Sequence, residues 1–484
     1  MAIPTVPPPG EVIATTYREV IHAHPQEDPL PLPEWDNDSA FASERRQAMP
    51  TQRSLVKTLP KANPALAGPA LHPPTSVTTP FPMTNQFVGL TDAAAPMMGN
   101  WKKTYPNQVS PLPLTAENPE LFEPEPMGPR FYLGAEYLLW WTKSDKAPPL
   151  VTSGAADPLV LSPGALGNAD TRVLQDGSLN RGPHSGLRLT AGWWLDDHAG
   201  KAIELSGFFL GSRSSRFDAS SAQFPVISRP FFDVVAGREE VQLVSFPGFI
   251  AGNVSVRSDS ELWGLEANFI CPQCITCDYR LNFLFGPRFL SLREGLTVTE
   301  DLQLLADIGD FQAGDRVRVT DSFRTRNQFY GAQVGAEARW LFGRWTLDGR
   351  AKLAAGVTNQ QITIDGNQTF LQGVNPDPRP GGLLATGTNI GNYRRSGFSV
   401  VPEVGLSVGY YVNDWTRLSV GYNFLYWTNV ARPGGQVDRN LNPFTIPNFD
   451  TTGLVNNGAN APTAPLKTSD FWAHGLTFGL EFTF

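Results

Sequence analysis

Leu476-Thr477-Phe478-Gly479-Leu480-Glu481-Phe482-Thr483-Phe484 closes the chain. Its even positions are all large and apolar and its odd positions small or polar, which is the two-residue period of a β-strand with one greasy and one wet face. If such a strand crosses a bilayer as part of a barrel, the even set faces lipid and the odd set, with Glu481, faces the interior. The same parity recurs upstream. Leu187, Leu189, Ala191 and Trp193 alternate with Arg188, Thr190 and Gly192, and Leu418, Val420, Tyr422 and Phe424 alternate with Arg417, Ser419, Gly421 and Asn423.

Working back from the end, about ten long alternating runs fill the chain from Phe131: 131–143, 185–195, 201–213, 255–270, 278–297, 325–342, 344–363, 396–412, 415–433 and 468–484. Their connections alternate in length. Short ones surround Asp196–Gly200, the cysteine turn, Gly343 and Asn413-Asp414; long ones cover 144–184, 214–254, 298–324, 364–395 and 434–467. All tight turns therefore fall at one end of the strands and all long loops at the other. An antiparallel up-and-down transmembrane β-barrel makes this arrangement, whereas a soluble sandwich has no reason to sort its loops by end. An all-β barrel of about ten strands, with twelve possible, is the expected fold. Aromatics near strand ends (Trp140, Trp141, Trp194, Trp340, Tyr426, Trp427) suit interfacial girdles.

Composition agrees with this reading. Across 484 residues there are 38 basic and 46 acidic side chains, a net charge of -8, and the chain is 41% apolar. That balance argues against nucleic-acid binding, which needs clustered Lys and Arg. No run of about 18 apolar residues exists, so no transmembrane helix is available. Glycine (45), proline (43) and aromatics favour many turns and strands. More than half of the prolines precede residue 131, where neither a helical nor a strand period survives. Residues 1–130 are read as a mostly disordered, extended arm and 131–484 as the barrel. Met1–Gly10 has no basic segment followed by an apolar one, so no secretory signal is legible, and an exported chain is expected to start elsewhere.

Inward parity falls on charges of both signs: Glu136, Arg188, Glu204, Glu266, Arg280, Arg288, Glu337, Arg339, Asp348, Arg350, Lys352, Glu403, Arg417 and Glu481. None can face hydrocarbon, where Arg or Lys at the midplane costs roughly 2 to 4 kcal/mol. In a bore little wider than that of an eight-stranded barrel they should pair across it, giving a salt-bridged, largely occluded interior.

Other chemistry is sparse. Cys271, Cys274 and Cys277 have ligand-like spacing but lack a fourth ligand nearby, so a turn-local disulfide or free thiols is the first reading and a metal the second. Of six histidines only His184 falls near the external rim, with no nucleophile motif beside it. No phosphate loop or nucleotide fingerprint appears, and no cofactor is expected.

Several stretches together point to a family. They are Gly134–Lys143, Ser214-Ser215-Arg216-Phe217, Arg229-Pro230-Phe231-Phe232-Asp233, Asp321–Gly331, Thr388-Asn389-Ile390-Gly391, Phe424-Leu425-Tyr426-Trp427 and Asp470-Phe471-Trp472-Ala473. From about Phe131 to Phe484 the chain resembles the putative beta-barrel porin family, seventh of that numbered series, typical of planctomycete bacteria. The closing aromatics Phe478, Phe482 and Phe484 likewise resemble the terminal signal of bacterial outer-membrane barrels. The resemblance implies an outer-membrane barrel in contact with lipid and with the barrel-insertion machinery. A porin-like or structural envelope protein with a narrow charged lumen is the expected function, passing small solutes if any, as a monomer. The alternatives are a surface interaction protein displaying loops on a closed barrel and, behind it, an outer-membrane hydrolase using His184.

Overall fold

The structure, a computed structural model, describes residues 130–179, 182–195, 201–276, 278–307, 311–372, 375–447, 456 and 458–484. The arm of residues 1–129 lies outside the described residues, as do the side chain of Cys274 and all of Cys277.

Ten strands form the wall: β1 Phe131–Thr142, β2 Pro183–Trp194, β3 Ala202–Ser220, β4 Ile250–Ile275, β5 Tyr279–Leu304, β6 Arg316–Phe342, β7 Trp345–Gln372, β8 Gly391–Tyr411, β9 Thr416–Ala431 and β10 Thr468–Thr483. Each pairs antiparallel with its neighbours in chain order, and β1 pairs with β10 from Tyr132↔Thr483 to Thr142↔Ala473, so the ring closes. A further strand, Asn375–Pro380, pairs with the outer end of β7. Closure leaves no membrane-level strand edge unpaired, which is what hydrocarbon requires of backbone polar groups. The seam is fastened at its end by the last residue: the amides of Arg130 and Phe131 donate to the Phe484 carbonyl at 2.7 and 3.2 Å, and the Phe484 amide donates to Phe131 at 2.8 Å.

Local chemistry explains the turns. Gly343, at φ +65°, makes the two-residue turn between Phe342 and Trp345, a backbone region L-residues with a Cβ rarely adopt. The outward parity is apolar over a belt: Leu133 and Tyr137, Leu187 and Leu189, Leu265, Phe283 and Phe285, Val334, Leu353, Val404 and Leu406, Val420 and Phe478 are exposed on the wall. Trp193, Trp340, Trp345 and Trp415 ring its short-turn side.

Two sequence expectations are corrected. First, β3 to β8 run well past the belt on the long-loop side, so residues 214–220, 250–254, 298–304, 316–324, 364–372 and 391–395, read as loop, are strand. Ser214–Phe217 and Arg324–Arg326 lie on β3 and β6. Beyond the belt the outward face turns polar while Val254, Val256, Leu296, Val298, Val319 and Phe323 stay buried inside; a strand that has left the lipid keeps its inner apolar face only because something covers it. Second, Trp140, Trp194 and Trp427 share the inward parity of Glu136, Arg188 and Arg417, and they point into the barrel instead of joining a girdle. Trp140 and Trp427 are fully buried.

The long connections supply the cover. Strands at residues 151–153, 172–175, 227–233, 238–245 and 440–441 form a small separate sheet. Its apolar residues, among them Val151, Ile227, Phe231, Val241, Leu243 and Leu441, share one core with Val254, Leu296, Val298, Phe323, Ile362 and Ile364 of the wall.

Candidate functional site

The bore is the candidate site, and register fixes who meets whom in it. Because inward residues alternate, Glu136 and Arg188 stand opposite one another on β1 and β2, Glu266 and Arg288 on β4 and β5, and Lys352 and Glu403 on β7 and β8. These six converge. The Arg188 guanidinium reaches Glu136 at 3.2 Å and, across the ring, Glu403 at 3.3 Å. Glu403 also pairs with Arg288, and Lys352 Nζ lies 2.6 Å from Glu266 and 3.8 Å from Glu403. Gln333 donates to Glu266 at 3.1 Å and to Asn268 Oδ1 at 2.6 Å, filling the remaining acceptor positions. The gap left among Arg188, Arg288, Lys352 and Glu403 is ≈10 Å³, about what a single water needs.

A second group sits nearer the short turns. Arg350 pairs with Glu337 at 2.6 Å and approaches Glu204 at 3.9 Å, while the Tyr132 hydroxyl donates to Glu204 at 2.8 Å. Arg339 and Arg417 both bridge Asp348 and Glu481, reaching Glu481 at 3.3 and 3.1 Å. Arg280 packs over the Trp194 ring at 4.3 Å and donates to Asn282 at 3.1 Å. A cavity of ≈190 Å³ remains here, lined among others by Tyr132, Trp194, Arg280, Arg339, Arg417 and Glu481. All fourteen charged residues singled out by parity are thus inside the ring. Their seven carboxylates (Glu136, Glu204, Glu266, Glu337, Asp348, Glu403, Glu481) equal their seven cations (Arg188, Arg280, Arg288, Arg339, Arg350, Lys352, Arg417). The set is neutral, which is what a low-dielectric space tolerates.

On the long-loop side of these charges, inward apolar residues of every strand but β2 form a buried layer: Leu138 and Trp140, Phe208 and Leu210, Leu262, Leu290 and Leu292, Phe329, Ala354, Val401, Leu425 and Trp427, Phe471 and Ala473. Arg188 links the two levels, with its guanidinium 5.4 Å from the Trp140 ring centre and 5.7 Å from that of Phe208. The Trp427 indole donates to Thr358 at 2.9 Å. Sequence reading missed this layer, and it missed Tyr132, Asn268, Asn282 and Gln333. Parity could have found each, since all lie an even number of residues from a charge already assigned inward.

Beyond the layer, buried ion pairs tie the cover to the wall. Arg229 joins both Glu300 of β5 and, at 2.6 Å, Asp321 of β6; Asp321 also accepts from the amides of Leu384 and Ala385 at 3.1 and 2.9 Å. Burial pushes the Glu300 carboxyl up to about 7 against the pull of Arg229. Arg432 grips Glu294 with two bonds at 2.8 and 2.6 Å and donates to the Lys143 carbonyl at 2.9 Å.

His184 is buried, with Thr142 Oγ1 and the Gly211 carbonyl each 3.3 Å from a ring nitrogen. Cys271 is a free thiol at the end of β4. Phe478 packs beside Tyr137, and Phe482 stacks between Trp415 and Phe484 on the outer surface.

The family model described as Putative beta barrel porin-7 matches residues 132–484. None of the curated proteins compared with the chain matches it. Among solved structures, the outer membrane protease OmpT of Escherichia coli is 12% identical, with 73% of this chain and 97% of that one covered and a TM-score of 0.36. A Pseudomonas aeruginosa FadL homologue is 8% identical, with 74% and 90% covered and a TM-score of 0.19. The toluene transporter TbuX of Ralstonia pickettii is 10% identical over 74% and 90%, with a TM-score of 0.13.

Proposed function

The chain belongs to the Putative beta barrel porin-7 family, and from that premise we propose that this outer-membrane barrel is a closed envelope protein. It holds its external cap rigidly at the surface and passes hydrated solutes only where its bore charges and cap rearrange. One observation carries the reading: the fully buried layer of Trp140, Phe329, Trp427 and Phe471 lies across the bore directly over the ion pairs centred on Glu403. A hydrated ion crossing it would be stripped of water by apolar side chains, at a cost of several kcal/mol.

The belt meets the lipid of the membrane, the closing Phe478, Phe482 and Phe484 are read by the insertion machinery, and the barrel works as a monomer. We read no enzyme in it. His184 spends its ring nitrogens on Thr142 and the Gly211 carbonyl, and among the described residues no carboxylate bonds to it to orient it as a base. The runner-up reading, a surface interaction protein, is favoured by the folded cap sheet, which is built more firmly than a mere spacer needs.

Liposome swelling with small sugars, alongside planar-bilayer recording, tests the proposal. Swelling at the rate of empty liposomes, without stable conductance steps, is expected from protein that runs as a heat-modifiable folded band. Large, long-lived steps from that same material would overturn it.

A further inference from the structure

On the outer face of the wall, register stacks three rows across β4 to β8. Leu265, Phe289, Tyr330, Val357 and Phe398 stand side by side as an apolar row. Two residues further out, Trp263 of β4 is followed by an uncharged polar run of Ser291, Gln328, Asn359 and Ser396. Two further again come Arg293, Arg326, Gln361 and Arg394, with Glu261 of β4 at the row's end and Arg324 just above, opposite Gly295 and Thr363. Four residues of strand are roughly 13 Å, and the strand tilt reduces this to about 9 Å along the membrane normal. From Trp340 of the short-turn girdle to Arg326 on β6 the same rise and tilt give about 33 Å along the normal, close to the hydrocarbon thickness of about 30 Å, so the arginine row stands where hydrocarbon gives way to headgroups.

Arg293 and Arg326 are direct cross-strand partners, an arrangement that destabilises a sheet unless an anion lies between the guanidinium groups. Glu261 stands directly opposite Arg293 on its other side, yet among the described residues no carboxylate forms an ion pair with Arg293, Arg324, Arg326 or Arg394; Arg324 donates only to Ser322 Oγ, at 3.2 Å. The Nε of Arg326 is buried and has no hydrogen-bond partner. The other acids on this face of β4 to β8 are Asp259, in the row above on β4, and, further out, Asp301 on β5, which pairs with Arg318 at 2.5 Å, and Asp365 on β7. Four residues below Arg293 and Arg326, at Phe289 and Tyr330, begins an apolar furrow of ≈1010 Å³ that runs along the wall toward β1, lined also by Leu265, Leu205 and Leu189.

An anion above an acyl-sized furrow is the outline of a phosphorylated lipid, and the geometry points to a site for one: phosphate held by Arg293, Arg326, Arg324 and Arg394, with its acyl chain in the furrow. Guanidinium forks match phosphate oxygens two at a time, which favours phosphate over other headgroup chemistry. The furrow favours a lipid over free phosphate. This inference rests on the barrel standing in the membrane and is independent of whether the bore conducts, so a conducting barrel would leave it intact.

Native mass spectrometry of the folded protein in detergent tests it, with three probes: a diphosphorylated saccharolipid, the same lipid dephosphorylated, and inorganic phosphate. R293Q/R326Q should bind the phosphorylated lipid at least roughly tenfold more weakly than the parent, with R293K/R326K in between. The dephosphorylated lipid should not distinguish the proteins. R324Q/R394Q is the second variant should the first fail to run as a folded, heat-modifiable band. Equal affinity of parent and glutamine variants for the phosphorylated lipid would overturn the site. Inorganic phosphate bound as tightly as the lipid would overturn the lipid assignment.

Discussion

Glu403 shows how much a single side chain carries inside a barrel this narrow. Arg188, Arg288 and Lys352 all lean on it, each of them buried. Glu403→Gln leaves those cations facing each other with Glu136 and Glu266 alone to compensate, and removing one partner of a buried pair typically costs about 3 to 5 kcal/mol. Urea unfolding of the barrel in detergent should show a loss of that size, whereas Asp377→Asn, in an exposed pair with Arg379, should change little. Parity alone identified Glu403 and its thirteen companions as inward. It could not say which touches which, because Arg188 and Glu403 sit on strands far apart in the ring and only closure brings them within 3.3 Å. Trp140 and Trp427 were misassigned for a related reason: an aromatic near a strand end suits a girdle or a sealed bore equally well, and only its parity relative to a known inward charge decides.

At the scale of the element, alternation is the property that can be broken selectively. Val420 faces out from β9 and Ser419 faces in. Val420→Arg should destabilise the inserted barrel by about 2 to 4 kcal/mol, the cost of an arginine in hydrocarbon, and Ser419→Arg, next to Glu481 and the small cavity, by clearly less. Comparing the two folded fractions in lipid vesicles by gel mobility checks this. The closing strand offers a separate test: deleting Phe482–Phe484 removes the backbone bonds between Phe484 and Arg130–Phe131 that fasten the seam. Insertion into vesicles should then slow, and the heat-modifiable fraction should fall. Strand existence was legible in the residues because lipid imposes a two-residue period. Strand length was not, since past the belt the outer face becomes polar and the pattern looks like loop.

For the molecule as a whole, the cap is locked by charges outside the membrane, and its lock is sensitive to pH. Glu300 is buried with Arg229 and Asp321, and its folded-state value near 7 lies above the ordinary glutamate value of 4.5. The folded cap therefore holds this proton more tightly than the unfolded chain does. Stability from it is fully present below about 4.5 and is lost as pH rises through about 7. Limited proteolysis should find the hairpin of residues 227–245 more resistant at pH 5 than at pH 8, and Glu300→Gln should flatten that difference. Arg229→Met should expose the hairpin at both pH values, because it leaves the Asp321 carboxylate buried without its cation.

From its residues alone the chain specifies a ring of strands with lipid outside and charge inside, because hydrocarbon allows only closed backbone pairing and sorts side chains by parity. The seal over the bore, the partners of Glu403 and the buried clamps at Arg229 and Arg432 were decided by tertiary structure. They join residues distant in sequence through a small sheet of loop segments, whose place inside the wall no local period records.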